Sequence, residues 1–328
     1  MLTSRVSGIR LLAVILLAIL AVPGVVFASG EAESADYPTR AISYVIPFNP
    51  GGQSDVTAQY QKPYLEEALG VDVVIRHQPG AGGALAWSNL VKARPDGYTI
   101  TGNNIPHIII QPMVRDNAGY TTDQLKPVYL FQSTPIGLAV AADSPFDTLQ
   151  DLIDYAADHP GEITVSGSGT HTGHHLAILQ LQYLTGTEFT YIPATGAAPS
   201  VASFLGGHTQ ALMANSNDLL AHADEMKILA IGTTERFRAL PDVPTFVEQG
   251  LDMTAGIDRG VAVPPETPDE IVATLEAAFD EVSANQEFVS EMEDLGFVIH
   301  SMGADEFAAY IDRKSSEIET VLRELGEI

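Results

Sequence analysis

The chain has 328 residues, 45% hydrophobic and 18% charged, a balance that excludes disordered and fibrous classes and suits about two packed domains at roughly 150 residues each. It contains no cysteine, which removes disulfides, thiolate nucleophiles, cysteine-ligated zinc and iron–sulfur clusters together. The 16 Lys+Arg against 42 Asp+Glu give a net charge of -26, and no basic cluster lies beyond the first ten residues, so nucleic acid is excluded as a partner.

At the N-terminus, Arg5 and Arg10 precede an apolar run from Leu11 to Val26, followed by Phe27-Ala28. This is the pattern of a secretory signal peptide, residues 1–28, with cleavage after Ala28. Pro23-Gly24 breaks the run, which is shorter than the roughly 20 residues that cross a bilayer. The short acidic leader Ser29 to Asp36 then opens a mature protein expected to be soluble and periplasmic or otherwise extracytoplasmic.

From Tyr37 onward strand and helix patterns alternate. Ile42 to Ile46 predicts a strand, Pro47 to Gly52 a turn, and Ser54-Asp55 the start of a helix that ends at Gly70 and is kinked or delayed by Pro63. Val71 to Ile75 is the next strand; Pro79 to Gly83 open a helix through Ala93, and Tyr98 to Thr101 form a third strand. The rhythm resumes with strand Ile136–Ala141, helix Leu149–His159, strand Ile163–Ser166 and a helix from His175 to Leu184 ending at Gly186. Gly260 to Pro264 predicts another strand, Thr267 to Glu270 a capping box with proline in the first turn, and Asp305 to Leu325 the last helix. Alternation of this kind predicts α/β architecture, with parallel doubly wound sheets in two similar lobes.

Two strand-to-helix loops carry the chemistry. Phe48-Asn49-Pro50-Gly51-Gly52-Gln53-Ser54-Asp55 places glycines before a helix N-terminus, whose unpaired N–H groups and partial positive charge suit an anion. Ser166-Gly167-Ser168-Gly169-Thr170-His171-Thr172-Gly173 repeats the arrangement and adds hydroxyl donors. One loop per lobe could close on a single carboxylate; the alternative for each is an ordinary βα turn. The second loop is one residue too long for a dinucleotide fingerprint, and the chain has neither a Gly-Lys-Ser/Thr phosphate loop nor a G-x-S-x-G elbow. His171, His174 and His175 have helical spacing for zinc, but no H-E-x-x-H accompanies them, so caps are the preferred reading and no metal or other cofactor is expected.

Tyr37-Pro38-Thr39-Arg40-Ala41-Ile42, Ile46 to Asp55, Gln78 to Gly83, Arg94 to Thr99, Leu205-Gly206-Gly207 and Arg238 to Thr245 occur in the order in which they occur in the Bug/TctC family. The chain resembles these extracytoplasmic solute receptors of tripartite tricarboxylate transporters over nearly its whole mature length. The resemblance implies a type II periplasmic-binding-protein-like fold, two doubly wound lobes joined by a two-strand hinge. Lobe 1 would comprise residues 37–135 and 257–328, lobe 2 residues 136–256, with crossings near Thr134 to Ala139 and Ile257 to Val261. It further implies a monomeric receptor, not an enzyme, that binds a small carboxylate and meets the membrane subunits of a transporter.

The ligand-binding residues expected on this basis are Phe48, Asn49, Gly51, Gly52, Gln53, Ser54, Asp55, Asn103, Ser166, Ser168, Gly169, Thr170, Thr172, Thr195 and Arg259. Asn104, Asn215 and Asp218 lie in loops that could also line the cleft, with turn formation as the alternative. Ala194 and Thr195 stand where the family usually has Tyr and Lys, and Arg259 where an aromatic residue is more frequent. Arg259 either binds a carboxylate of the ligand or pairs with Asp258 or Asp55. Two alternatives to transport remain: a sensor for a membrane kinase with the same pocket, and a hydrolase using Ser168 with a nearby histidine.

Overall fold

The computed structural model describes residues 37–328; the expected signal peptide and leader lie outside the described residues. The strands are β1 (Ile42–Ile46), β2 (Val73–His77), β3 (Thr99–Ile105), β4 (Lys126–Ala141), β5 (Thr164–Gly167), β6 (Thr190–Pro193), β7 (Ala211–Asn215), β8 (Met226–Ile231), β9 (Gly256–Val263) and β10 (Val298–Met302). The helices are α1 (Gln53–Leu69), α2 (Ala84–Leu90), α3 (His107–Val114), α4 (Leu149–Asp158), α5 (Gly173–Thr185), α6 (Ala197–Leu205), α7 (Ser216–Ala221), α8 (Asp269–Ala284), α9 (Gln286–Asp294) and α10 (Ala304–Glu324). Among the described residues, no helix is long and apolar enough to cross a membrane.

The strand order is β2-β1-β3-β9-β4-β7-β5-β6, with β10 and β8 also paired to β4. β1, β2 and β3 are parallel to one another, as are β5, β6 and β7. β9 instead runs antiparallel to both β3 and β4, so the sheet is mixed rather than purely parallel. The 16-residue β4 links the two parallel groups: Lys126 to Pro135 pair with β9, and Ile136 to Ala141 pair with β7 and β8.

Each parallel group has its own apolar core. Tyr44, Phe131 and Phe279 pack with Leu65, Val261 and Phe288 on the first, whereas Leu138, Leu152, Val165, Leu181 and Phe246 fill the second. Phe279 is completely buried, with its ring stacked on Phe131 at 6.0 Å and edge-on to Tyr44 at 6.2 Å. α10 buries Phe307, Tyr310, Ile311, Ile318 and Leu322, the stripe that its spacing implies, whereas Val321 and Leu325 are only half-buried.

Three local expectations require correction. α1 begins at Gln53 and runs unbroken through Pro63 to a left-handed Gly70, so proline neither delays nor ends it. Pro268 is the N-cap of α8, and Thr267 Oγ1 donates to Pro264 O at 2.8 Å instead of capping the helix. A reciprocal capping box does form at Thr148 and Asp151 of α4. β4 begins ten residues before the predicted strand at Ile136, because Pro127, Pro135 and the polar run Gln132-Ser133-Thr134 conceal its first half.

Truncating Phe279 to alanine removes an aromatic ring from a fully packed site and is expected to cost about 3 to 5 kcal/mol. Tyr183→Ala, at a position 58% exposed, should stay within about 0.5 kcal/mol of the parent. Urea unfolding of both variants measures the contrast.

Candidate functional site

The two loops meet beside β9, which lies between β3 and β4 in the sheet. A cavity of about 20 Å³ lies there, lined by Phe48, Gly52, Gln53, Ser54, Asn104, His107, Ser168, Ala197, Asn215, Ile257 and Arg259. That is space for about one water molecule. Gly52 caps α1, so the amides of Gln53 and Ser54 are first-turn donors without an intrahelical acceptor. Ala197 begins α6 behind Gly196, giving the cavity a second helix N-terminus from the opposite side.

Arg259 is the cation of this cavity and is only 3% exposed. Nη1 donates to Thr134 Oγ1 at 2.8 Å and to Ile257 O at 3.2 Å, and Nε reaches Ser54 Oγ at 3.4 Å. None of these bonds uses Nη2. Thr134 is fixed by Gln132 Nε2 at 3.0 Å, and Gln132 Oε1 accepts from Thr57 at 2.8 Å, so a fully buried polar chain holds the arginine in place. Neither expected carboxylate pairs with it. Asp55 contacts His77 at 2.7 Å, and Asp258 is bonded to Ser133 and Tyr310. Burial lowers the Arg259 pKa to about 9, and the more distant Asp218 and Asp258 oppose that shift. The guanidinium therefore remains cationic at neutral pH without an ion-pair partner among the described residues.

His174 organises the second loop. It is completely buried, and Ser168 N donates to its Nδ1 at 3.0 Å. A backbone N–H can only donate, so Nε2 carries the proton, which bonds to Asn215 Oδ1 at 3.0 Å. Asn215 Nδ2 in turn donates to Asp218 Oδ2 at 3.1 Å. Burial pulls His174 down to about 4 against the opposing Asn215 bond, and it drives His107 well below its ordinary value. With both ring nitrogens of His174 engaged, it is not a base for Ser168, whose Oγ has no partner. Among the described residues, no group of three His, Asp or Glu side chains could hold a metal ion.

Of the expected binding residues, Phe48, Gly52, Gln53, Ser54, Ser168 and Arg259 line the cavity, joined by Asn104 and Asn215. The others do not. Asn49 Nδ2 donates to Thr195 Oγ1 at 2.7 Å, so these two bridge the loops outside the cavity. Asp55 accepts from Gly51 N at 2.8 Å and thereby occupies an amide expected to face a ligand. Asn103 pairs in register with Gly260 while Asn104 pairs with Arg259, which puts Asn103 on the opposite sheet face. Ser166 Oγ donates to Ser200 O, Thr172 caps α5, and Thr170 O accepts from Gln111 at 3.1 Å. Gly169 donates its N–H within the loop to Gly167 O, so this turn offers fewer free amides than its sequence implies.

Sequence reasoning missed His107, Ala197 and Ile257. Ile257 lies two residues from Arg259 and so shares its strand face; His107 and Ala197 each start a helix after a strand, a signal hidden by Pro106 in one case and by the short β6 in the other. A larger hollow of about 370 Å³ lies on the opposite face of β9, where Asp258 points. Its lining offers no unpaired cation, since Lys314 is bonded to Glu317 at 2.7 Å.

The depressed histidines give a signed pH dependence. Between about 6.5 and 4 the unfolded chain takes up a proton that folded His174 refuses, so stability is present above this window and is lost as pH falls through it. The loss from His174 alone is on the order of 3 kcal/mol. In His174→Asn, whose side-chain oxygen can still accept from Ser168, unfolding measured from pH 7 to 4 should be correspondingly flatter.

The TctC family model, described as "Tripartite tricarboxylate transporter family receptor", matches residues 57–327. Protein BugT of Bordetella pertussis is 28% identical over 299 residues, covering 89% of this chain and 92% of its own. The solved structure of R. palustris Rpa4515 with adipate is similar at a TM-score of 0.84 and 27% identity, over 89% of this chain and 99% of that one. MatC (Rpa3494) from Rhodopseudomonas palustris with bound malate follows at 0.83 and 25%, over 87% and 100%. A periplasmic-binding-protein-like α/β fold, the ordered motifs and a family match across most of the chain agree: this protein belongs to the Bug/TctC family of solute-binding receptors.

Proposed function

We propose that the protein is an exported receptor that captures a small carboxylate between two lobes and delivers it to the membrane subunits of a tripartite tricarboxylate transporter. The carrying observation is Arg259, a buried guanidinium with no anionic side chain beside it, an arrangement that costs free energy until a carboxylate supplies the missing charge. Solved relatives that carry adipate and malate support the same ligand class.

The lobes are residues 37–135 with 257–328, and residues 136–256, hinged where β4 and β9 cross. Support for closure comes from hydrogen bonds between these halves: Asn49 to Thr195, Gln111 to the carbonyls of Thr170 and His171, and Gln53 to Asn217. The cavity has room for about one water, so entry of an organic acid requires hinge motion, and the acid is held in a form closed less tightly than this one, with the Gln53–Asn217 contact kept. Ligand contacts made to both lobes would then favour that closed, liganded form over the open one, the shape that membrane subunits read. The receptor acts as a monomer and performs no chemistry on its cargo.

A thermal-shift and calorimetric panel of di-, tri- and hydroxycarboxylates tests this reading, since ligand at 100 times its Kd adds about 2.7 kcal/mol. A response confined to sugars or metal ions would contradict it. Arg259→Met should abolish the carboxylate-induced shift and at the same time raise the melting temperature of the ligand-free protein, because it removes an uncompensated buried charge. An unchanged carboxylate shift in this variant would remove Arg259 from the site.

A further inference from the structure

The polarity of one hydrogen-bond chain fixes which atom of the cavity-lining Gln53 is left without a partner. The chain begins at Ser168 N, passes through His174 and Asn215, and ends on Asp218 Oδ2, which accepts. The other oxygen, Asp218 Oδ1, lies 3.3 Å from Asn217 Nδ2 and accepts from it. Since the amide nitrogen of Asn217 faces Asp218, its Oδ1 faces Gln53 and requires a donor there. Gln53 therefore presents Nε2 to Asn217. Its Oε1 is left as an acceptor without a partner, on a cavity-lining residue that is 2% exposed.

We infer that the receptor selects a hydroxycarboxylate: a ligand whose carboxylate meets Arg259 and whose hydroxyl donates to Gln53 Oε1. This rests on the carboxylate reading above and narrows it. A buried acceptor that stays unpaired in the complex is costly, so an acid with only carbon and hydrogen at that position loses the bond and leaves the oxygen stranded. A hydroxyl is favoured over an ammonium. The cavity lining holds Arg259 and no carboxylate, so an ammonium would add a second positive charge with no anionic side chain of the protein to receive it. Ser168 Oγ, which also lacks a partner and lines the cavity, can donate to the ligand's carboxylate.

Matched pairs provide the test: malate with succinate, lactate with propionate, and aspartate as the ammonium counterpart of malate, each titrated calorimetrically into the full mature chain. The hydroxy member of the best-binding pair should bind at least tenfold more tightly than its deoxy partner, and malate more tightly than aspartate. In Gln53→Leu the hydroxy-to-deoxy ratio should fall toward one. That ratio is insensitive to a general weakening of closure, which affects both members alike. Equal binding of hydroxy and deoxy acids by the parent, or an undiminished ratio in Gln53→Leu, overturns the inference while leaving carboxylate capture standing. A tighter aspartate complex would overturn the choice of hydroxyl. Absence of binding by every acid would instead overturn the underlying reading.

Discussion

A guanidinium buried on β9, the strand between β3 and β4, and lacking an anionic side-chain partner, is the constraint around which the rest of the site is arranged. Keeping Arg259 charged in a buried place requires hydrogen bonds, and the chain Thr57–Gln132–Thr134 supplies them from residues that are themselves buried. Those bonds orient the arginine without neutralising it. The parity of the strand then divides the labour: Arg259 faces the cavity, while Asp258, one residue earlier, turns to the other face and is held by Ser133 and Tyr310. A direct Asp258–Arg259 ion pair is thus excluded by the pleat, and the charge stays available to a ligand.

The other side of the cavity is fixed by a chain of bonds in which every direction is determined. Ser168 N sets the tautomer of His174, which sets Asn215, and Asp218 collects donors from both Asn215 and Asn217. Burial raises the Asp218 pKa, and bonds from Asn215 together with the positive field of Arg259 oppose that shift. A neutral His174 is essential to the arrangement, because protonation of Nδ1 would abolish the acceptor of the Ser168 amide. The net charge of -26 is compatible with anion capture, since surface charges beyond roughly 8 to 10 Å are screened at physiological salt while donors in the cavity act at contact distance.

Much of this was legible in the sequence because glycine-rich strand-to-helix turns have few physical alternatives: Gly51-Gly52 and Gly167 to Gly169 do join strands to helices beside one cavity. The family resemblance, carried by several ordered motifs, supplied the periplasmic-binding-protein-like α/β fold. What the turns do with their amides was less legible. Asp55 takes the Gly51 N–H, and His174 and His175 take those of Ser168 and His171, exchanges that depend on helix phase rather than spacing. With the strand read as ending at Thr101, Asn103 and Asn104 both fall in a loop and neither is assigned to a face. Once β3 continues to Ile105, pairing with β9 assigns Asn104 to the face of Arg259. The first half of β4 was concealed for a similar reason, its prolines and polar side chains being accommodated by a ladder that local pattern does not reveal.

A crystal structure of the protein with the carboxylate that gives the largest thermal shift measures the central relation directly. The expected result is a ligand carboxylate within about 3 Å of Arg259 Nη2, with the loops around Gln53 and Ser168 on either side of it. A carboxylate bound in the hollow behind β9, with Arg259 unchanged and still without an anionic partner, would contradict it.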